Sequence, residues 1–168
     1  MTEEQKPRVK LPPVSQVSIV VKDMDRAIEY YSSTFGMGPF RVMDIDMEGV
    51  LLRGKPISTK IKVAFARSGP LQVELIQPVE GKNIYTEFLD SKGEGLHHLG
   101  FQVDDLDGML AELAKEGIQP VFRKAYPDVG VAFTYLNTDK IGGVIFELIE
   151  QKSVRRGKDE QGKKRQIG

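Results

Sequence analysis

The sequence contains no cysteine and no long apolar run, and each absence excludes a class of structure or function. Without cysteine there can be no disulfide, no thiolate metal site and no cysteine nucleophile. No stretch approaches the roughly 18 to 20 consecutive apolar residues of a membrane-spanning helix, and residues 1–6 form no apolar signal segment. Charge of one sign is not in excess, because 24 Lys and Arg balance 24 Asp and Glu. We expect a cytoplasmic protein with no membrane partner.

What is present is a chain of 168 residues, 40% of them apolar, which is long enough to bury a substantial core. The two ends of the chain differ in composition from the region between them. Residues 151–168 hold seven Lys and Arg against two acidic residues and almost nothing to bury. A short basic run without interleaved aromatic residues is typical of a solvated end, and we expect no nucleic-acid partner. We predict a flexible arm over 1–13, a folded region over 14–150 and a basic disordered tail over 151–168.

The most informative pattern is an internal repeat. Residues 16–25 (QVSIVVKDMD) reappear in character and order, 82 positions further on, as residues 98–107 (HLGFQVDDLD). Residues 71–76 (LQVELI) and 144–149 (VIFELI) likewise place a glutamate inside a closing apolar run of each half. Buried polar groups are unfavourable unless they are paired or used. The repeat puts four of them at matched places, and we predict that they share one site: Gln16, Glu74, His98 and Glu147.

Hydrophobic periodicity predicts the same order of elements in both halves. The first half has predicted strands at 14–21, 40–47, 61–67 and 71–77, with a helix at 25–35. The second half has predicted strands at 98–103, 120–124, 131–136 and 144–149, with a helix at 106–115. The fold class is therefore α+β, with two paired β-α-β-β-β modules that form a curved sheet around a central cavity. The modules span 14–80 and 96–150, and a connecting helix and turn occupy 81–95.

Strand alternation assigns side chains to the two faces of this sheet. If Gln16 faces the cavity, the matched His98 does so too, and the neighbouring His97 points the other way and is a poorer ligand. Tyr126, Phe133 and Tyr135 could line the cavity or fill the core, and we interpret all three as core residues.

Two such modules, with His98 in GLHHLGFQVDD (residues 95–105) and a glutamate in both closing strands, resemble the vicinal oxygen chelate superfamily. This superfamily includes glyoxalase I, methylmalonyl-CoA epimerases, extradiol dioxygenases and metal-free antibiotic-binding proteins. Within it the chain is most similar to the methylmalonyl-CoA epimerases, through residues 71–78 (LQVELIQP), 93–98 (GEGLHH) and 142–148 (GGVIFEL). Function must still be argued from the site, because one fold supports many activities.

The resemblance implies one divalent metal ion, which would be Co, Ni, Mn, Fe or Zn, held at the four repeat-matched positions Gln16, Glu74, His98 and Glu147. Imidazole, carboxylate and amide oxygen suit such ions. The family normally has an Asp-His pair on its first strand, whereas this chain has Ser15 and Gln16. Glutamine is a weaker, neutral ligand, so we expect looser metal binding.

The resemblance also implies an epimerase or isomerase that removes a proton next to a carbonyl chelated by the metal ion. Glu48 is the candidate base, and Glu147 is a second candidate proton carrier. The small-molecule substrate would be an acyl-CoA thioester, and a homodimer is expected. Cationic residues available for the CoA phosphates are Arg53, Lys55, Lys60, Lys62, Arg123 and Lys124.

Two alternatives remain open. A glyoxalase I-like lyase (lactoylglutathione lyase) would use the same metal ion and base on a glutathione adduct. A metal-free binding or resistance protein is favoured by Gln16 and disfavoured by the retention of His98, Glu74 and Glu147. An extradiol dioxygenase is disfavoured, because that chemistry uses two histidines and one carboxylate, and the chain has only the adjacent His97 and His98.

Overall fold

The computed structural model describes residues 8–153, and their backbone follows the α+β order expected from the sequence. The first module contains β1 (Val14–Val20), α1 (Met24–Phe35), β2 (Arg41–Leu52), β3 (Lys55–Ser68) and β4 (Leu71–Glu80). A connecting helix, α2 (Ile84–Lys92), follows. The second module contains β5 (Gly95–Val103), α3 (Leu106–Lys115), β6 (Pro120–Tyr126), β7 (Val131–Leu136) and β8 (Ile145–Gln151). A single turn of 3-10 helix, Pro127–Val129, separates β6 from β7.

Matched aspartates begin the two helices of the repeat. The Asp23 carboxylate accepts a hydrogen bond from the Arg26 backbone N–H at 3.0 Å, and the Asp105 carboxylate accepts one from the Gly108 N–H at 2.9 Å. Each bond satisfies a backbone donor that has no partner within the first helical turn. The α1 helix ends at Gly36, whose φ of 66° lies in the left-handed region that glycine adopts without strain.

The eight strands form a closed sheet in the order β1-β4-β3-β2-β6-β7-β8-β5. Each module contributes four consecutive strands to this ring. The modules meet in two antiparallel seams, one between β1 and β5 and the other between β2 and β6. The modules therefore pair within one chain, and the described strands leave no free edge. Open edges thus give no support to the expected homodimer, which stays a prediction.

Apolar side chains fill three clusters on the two faces of the sheet. One cluster lies under α1 and includes Met24 and Leu75, and a second lies under α3 and includes Leu106 and Leu148. The largest cluster lies on the concave face, where Tyr85 of α2 is only 2% exposed. This division leaves the concave face, away from α1 and α3, to hold the site.

Part of the predicted N-terminal arm packs against the second module. Val9 and Leu11 contact the cluster under α3, and Arg8 Nη1 lies 2.6 Å from Glu116 Oε2. Three residues of the arm therefore contact the second module, and the predicted flexibility of residues 1–13 stays a prediction. Residues 1–7 of that arm and 154–168 of the predicted tail lie outside the described residues. Among residues 8–153, no helix is both long enough and apolar enough to cross a membrane.

Candidate active site

The four repeat-matched side chains come from four strands that are neighbours in the closed sheet, in the order β8, β5, β1 and β4. They are buried, with exposed fractions of 5% for Gln16, 8% for Glu74, 0% for His98 and 5% for Glu147. Ser18 of β1 lies opposite both Glu74 and His98 in the sheet. Gly100 of β5 lies opposite both Gln16 and Glu147. The closed sheet thus brings the four side chains together where the two modules meet.

His98 lies between the two carboxylates. Its Nε2 atom is 3.1 Å from Glu147 Oε2 and 3.4 Å from Glu74 Oε2. These contacts are not aligned as hydrogen bonds, so His98 Nε2 and Glu147 Oε2 are buried without a hydrogen-bond partner. Two ligands bound about 2.1 Å from one metal ion, at right angles, lie about 3 Å apart. The spacing therefore suits neighbouring ligands of an ion.

These side chains do not converge on a single point. No group of three or more His, Cys, Asp or Glu side chains within residues 8–153 is already arranged to hold a metal ion. The carboxylates of Glu74 and Glu147 approach His98 as an ion-pair cluster, and the fourth expected ligand, Gln16, is an amide. Binding of an ion would require these side chains to move from this arrangement.

The Gln16 amide presents its oxygen to the site. Gln16 Nε2 donates a hydrogen bond to Gln72 Oε1 at 3.0 Å, and Gln16 Oε1 is buried without a partner. Gly100 provides the necessary room, because a Cβ atom there would lie 2.8 Å from Gln16 Oε1 and 2.9 Å from Gln16 Cβ. An unpaired amide oxygen is an acceptable, weak ligand for a divalent cation. The residues present therefore fit a metal ion chemically.

The electrostatics of the cluster favour a positive charge. Burial lowers the pKa of His98, but Glu147 and Glu74 together outweigh burial and raise that pKa to about 9. Burial raises the pKa of Glu147, and the nearby His98 opposes this rise. Two carboxylates with one imidazolium carry an excess negative charge that a proton or a cation would neutralise.

His97 lies behind the site, and sequence reasoning missed its role there. It is fully buried, and its Nδ1 lies 3.0 Å from His98 Nδ1. Burial lowers the pKa of His97 to about 2, with further lowering by His98 and Lys92, so the ring is neutral. The two Nδ1 atoms share one hydrogen bond, in which the Nδ1–H of a protonated His98 donates to the neutral His97 ring. Adjacent histidines on one strand were the only sequence signal for this contact.

A cavity of about 390 Å³ extends from the cluster. Gln16, Glu74 and Glu147 line it. Its remaining wall is mostly apolar and comes from β2, β3, β7 and β8: Met43, Ile45, Met47, Ile61, Val63, Phe65, Val131, Phe133 and Ile149. Tyr126, Phe133 and Tyr135 also line it, so their interpretation as core residues alone is incomplete. The Tyr126 hydroxyl is buried there without a hydrogen-bond partner.

The candidate base Glu48 lies outside this cavity. Met43, Ile45 and Met47 face inward, so the alternating residues of β2 face solvent, and Glu48 sits exposed in an irregularity between Met47 and Val50. Its backbone carbonyl accepts a hydrogen bond from Lys124 Nζ. Because Glu48 is exposed and lies outside the cavity, the geometry gives no support to the prediction that it acts as a base. The sequence alone did not reveal the irregular register that places it there.

The cations expected to meet CoA phosphates do not line the cavity either. Arg53 forms two hydrogen bonds with the Glu87 carboxylate, at 3.0 and 2.7 Å. Arg123 Nη2 lies 2.7 Å from Asp107 Oδ1, and Lys60 Nζ lies 3.3 Å from Glu80 Oε2. These exposed cations have acidic neighbours on the outer surface.

Comparison with known proteins identifies the family of this chain. A family model described as the Glyoxalase/Bleomycin resistance protein/Dioxygenase superfamily matches residues 15–135. The chain is 26% identical over 148 residues to the mitochondrial methylmalonyl-CoA epimerase of Mus musculus, covering 87% of this chain and 77% of that protein. It is 25% identical over 142 residues to the uncharacterised protein YqjC of Bacillus subtilis, covering 83% of this chain and 92% of that protein.

Solved structures show the same fold. The methylmalonyl-CoA epimerase of Mycobacterium tuberculosis superposes with a TM-score of 0.63 at 24% identity, covering 85% of this chain and 90% of that chain. A variant of the Streptomyces coelicolor methylmalonyl-CoA epimerase in complex with 2-nitronate-propionyl-CoA gives 0.65 at 21% identity, covering 86% and 100%. Since the family model matches well over half of its residues, this chain belongs to the glyoxalase/bleomycin resistance protein/dioxygenase superfamily, the vicinal oxygen chelate group.

Proposed function

We propose that the protein is a divalent-metal-dependent isomerase, similar to methylmalonyl-CoA epimerase, that moves a proton at the carbon next to a chelated carbonyl. The observation that carries this proposal is the buried cluster in which His98 lies between the carboxylates of Glu74 and Glu147, beside the unpaired amide oxygen of Gln16. Leaving a buried acceptor such as Gln16 Oε1 unpaired costs roughly 1 to 3 kcal/mol. An ion bound among the four side chains would pair this oxygen and neutralise the excess negative charge of the carboxylates.

In this proposal Gln16, Glu74, His98 and Glu147 hold the ion. A bound Co, Ni, Mn, Fe or Zn ion would act as a Lewis acid that makes the proton next to a chelated carbonyl more acidic. Glu147 is the proposed proton carrier once its bond to the ion is released, because it lines the cavity and burial raises its pKa. Epimerisation needs a proton carrier on each face of the carbon, and Glu74 is the other carboxylate on the cavity wall.

The first test is the metal content of the protein purified without a tag, measured by elemental mass spectrometry. His98→Ala and Glu147→Ala variants are measured alongside. The proposal expects near-stoichiometric transition metal in the parent protein and its loss in both variants. Metal-free protein that also fails to take up Co, Ni, Mn, Fe or Zn would overturn the chelate mechanism.

The second test follows exchange of the α-proton of methylmalonyl-CoA in deuterated water by NMR. Glu147→Gln is expected to reduce exchange at least a hundredfold, as for a lost general base, and its metal content is measured alongside to separate loss of the base from loss of the ion. Glu48→Gln makes the same chemical change outside the cavity, and exchange is expected to persist. Loss of exchange in Glu48→Gln alone would identify Glu48 as the base after all. Conversion of the glutathione hemithioacetal to lactoylglutathione would instead favour the glyoxalase I-like lyase.

A metal-free small-molecule binding protein is the second candidate. The largely apolar cavity and the neutral Gln16 favour it. The ion-pair cluster of Glu74, His98 and Glu147 disfavours it, because an apolar ligand has no use for two buried carboxylates. Tight binding of an apolar ligand by protein that takes up no metal would establish this alternative.

A further inference from the structure

We infer that the part of the substrate inside the cavity has an apolar, uncharged body and carries its polar atoms at one end, where they meet the cluster of Gln16, Glu74, His98 and Glu147. This inference rests on the proposed function for the polar end and deepens it by naming the class of group that the cavity accepts, so the phosphates of an acyl-CoA thioester would lie outside the cavity. The cavity wall, the placement of cations and the distribution of polar atoms each support it.

The cavity wall opposite the cluster is a continuous apolar surface. Met43 lies opposite Val63, and Ile45 lies opposite Ile61, so β2 and β3 present paired apolar rows to the interior. Phe133 of β7 lines the same cavity. Met43, Ile45 and Phe133 are only partly buried although they face inward. Their remaining exposed surface faces the cavity, where an apolar body would cover it.

No lysine or arginine of the described residues lines the cavity. Strand alternation directs Lys60 and Lys62 of β3 to the outer surface, and Lys60 has Glu80 at 3.3 Å there. A carboxylate or phosphate placed against the apolar rows would be buried without a partner, which is strongly unfavourable. An anionic group is therefore acceptable only at the cluster, where an ion would bind.

The polar groups that do line the cavity beyond the cluster are neutral. They are the amides of Gln72, Gln102 and Gln151 and the hydroxyls of Tyr85, Tyr126 and Tyr135. Gln102 is exposed, and Gln151, at the end of β8, is also exposed. These neutral groups tolerate an uncharged substrate but do not neutralise an anion.

The test uses straight-chain alkyl hydroxamates from acetohydroxamate to decanohydroxamate, because a hydroxamate offers two neighbouring oxygens to a metal ion. Binding to Co-loaded protein is measured by isothermal titration calorimetry. Each added methylene is expected to lower Kd about fourfold until the cavity is filled. Values of Kd that stay within twofold across the series would overturn the inference.

Two variants sharpen this test. Ile45→Lys places a cation on the apolar wall and is expected to flatten the dependence on chain length. The same variant should improve binding of a hydroxamate with a terminal carboxylate relative to the alkyl series. Val42→Lys is the matched control, because Val42 lies on the same strand, is 46% exposed and is not among the cavity-lining residues. Equal effects of the two lysines would contradict the inference.

A metal-free arm separates this inference from the proposed function. Hexanol, octanol and decanol are added to chelator-treated protein, and the shift in Tm is measured. A shift that grows with chain length, without hydroxamate binding, supports the apolar body and overturns the metal site. Hydroxamate binding without any dependence on length supports the metal site and overturns the apolar body. Absence of both effects overturns both.

Discussion

At the residue scale, His98 is fully buried between two carboxylates, and its positive charge offsets part of their negative charge. Its pKa in the folded protein is raised to about 9, against 6.5 in an unfolded chain. A group whose folded pKa is raised stabilises the fold fully below its unfolded pKa and loses that contribution as pH rises through its folded pKa. The cluster is therefore sensitive to alkaline pH when no metal is bound.

We expect the Tm of chelator-treated protein to fall between pH 6.5 and pH 9.5 for this reason. Glu147→Gln removes the carboxylate that contributes most to the rise in the His98 pKa, so its Tm should fall less over the same range. Differential scanning calorimetry at several pH values checks this expectation. Parallel pH profiles of the two proteins would contradict it.

Gly100 leaves room for the Gln16 side chain because it has no side chain of its own. Gly100→Ala would place Cβ against Gln16 Oε1 and Gln16 Cβ, and the second atom is close to the backbone and cannot swing away. We expect a loss of about 1 to 3 kcal/mol in the free energy of unfolding and weaker metal binding. Gly95→Ala on the same strand is the control, because nothing lies within 4 Å of its Cβ position. Urea unfolding and metal titration measure both variants.

His97 acts as a positioning residue for His98 through the contact between their Nδ1 atoms. Partners that orient a metal-bound histidine typically contribute 10- to 100-fold to metal affinity. We expect about that loss in His97→Leu and a smaller loss in His97→Gln, whose amide oxygen can accept the His98 Nδ1–H. Calorimetric metal titration checks the order, and equal losses in both variants would indicate a purely structural role.

At the element scale, each capping aspartate pairs one backbone donor in the first turn of its helix. The first N–H of α1 and of α3 is paired by a distant side chain, Gln77 and Glu150 respectively. Asp23→Ala and Asp105→Ala are each expected to lower the free energy of unfolding by about 1 kcal/mol. Asp104→Ala is the control, because Asp104 is exposed and does not cap α3. Urea unfolding of the three variants measures the difference, and an equal loss in Asp104→Ala would contradict the capping role.

Local signals of this kind explain which elements the sequence predicts well. The α3 helix and the β7 strand have the bounds expected from periodicity, because caps, glycines and alternation act over a few residues. The β2 and β3 strands run longer than the predicted 40–47 and 61–67. Their extensions contain charged residues, Gly49 and Pro56, and are held by pairing with each other and with β6. That pairing depends on the closed sheet and is not visible locally.

Prediction of the site from the local sequence has the same limit. The repeat correctly pointed to buried positions for Gln16, Glu74, His98 and Glu147, because each lies within a patterned strand. It could not place Glu48, whose orientation depends on an irregular register, or reveal that His97 contacts His98. Whether the four side chains bind metal stays a prediction.

At the scale of the whole molecule, the two seams that join the modules are unequal. The β1–β5 seam pairs six residues of β1 with residues of β5, whereas the β2–β6 seam pairs only Leu51 with Arg123 and Leu52 with Phe122. A backbone hydrogen bond from Arg53 N–H to the Val121 carbonyl, at 2.8 Å, extends the shorter seam. The ring is therefore weakest where β2 meets β6.

We expect amide hydrogens at the β2–β6 seam to exchange with solvent sooner than those at the β1–β5 seam, because short seams open locally at lower free energy. Hydrogen exchange resolved by NMR or mass spectrometry compares the two. A slower exchange at Leu52 than at Val17 would contradict this expectation.

The meeting of the two halves within one chain also has an evolutionary consequence. Gln16 and His98 occupy equivalent places in the repeat, as do Glu74 and Glu147, and only the glutamate pair has kept its identity. In a symmetric dimer of single modules, any substitution would alter both equivalent places at once. Fusion of the modules frees each place to mutate alone. An unlike pair at the junction, such as Gln16 on β1 and His98 on β5, is not available to a dimer of identical single modules.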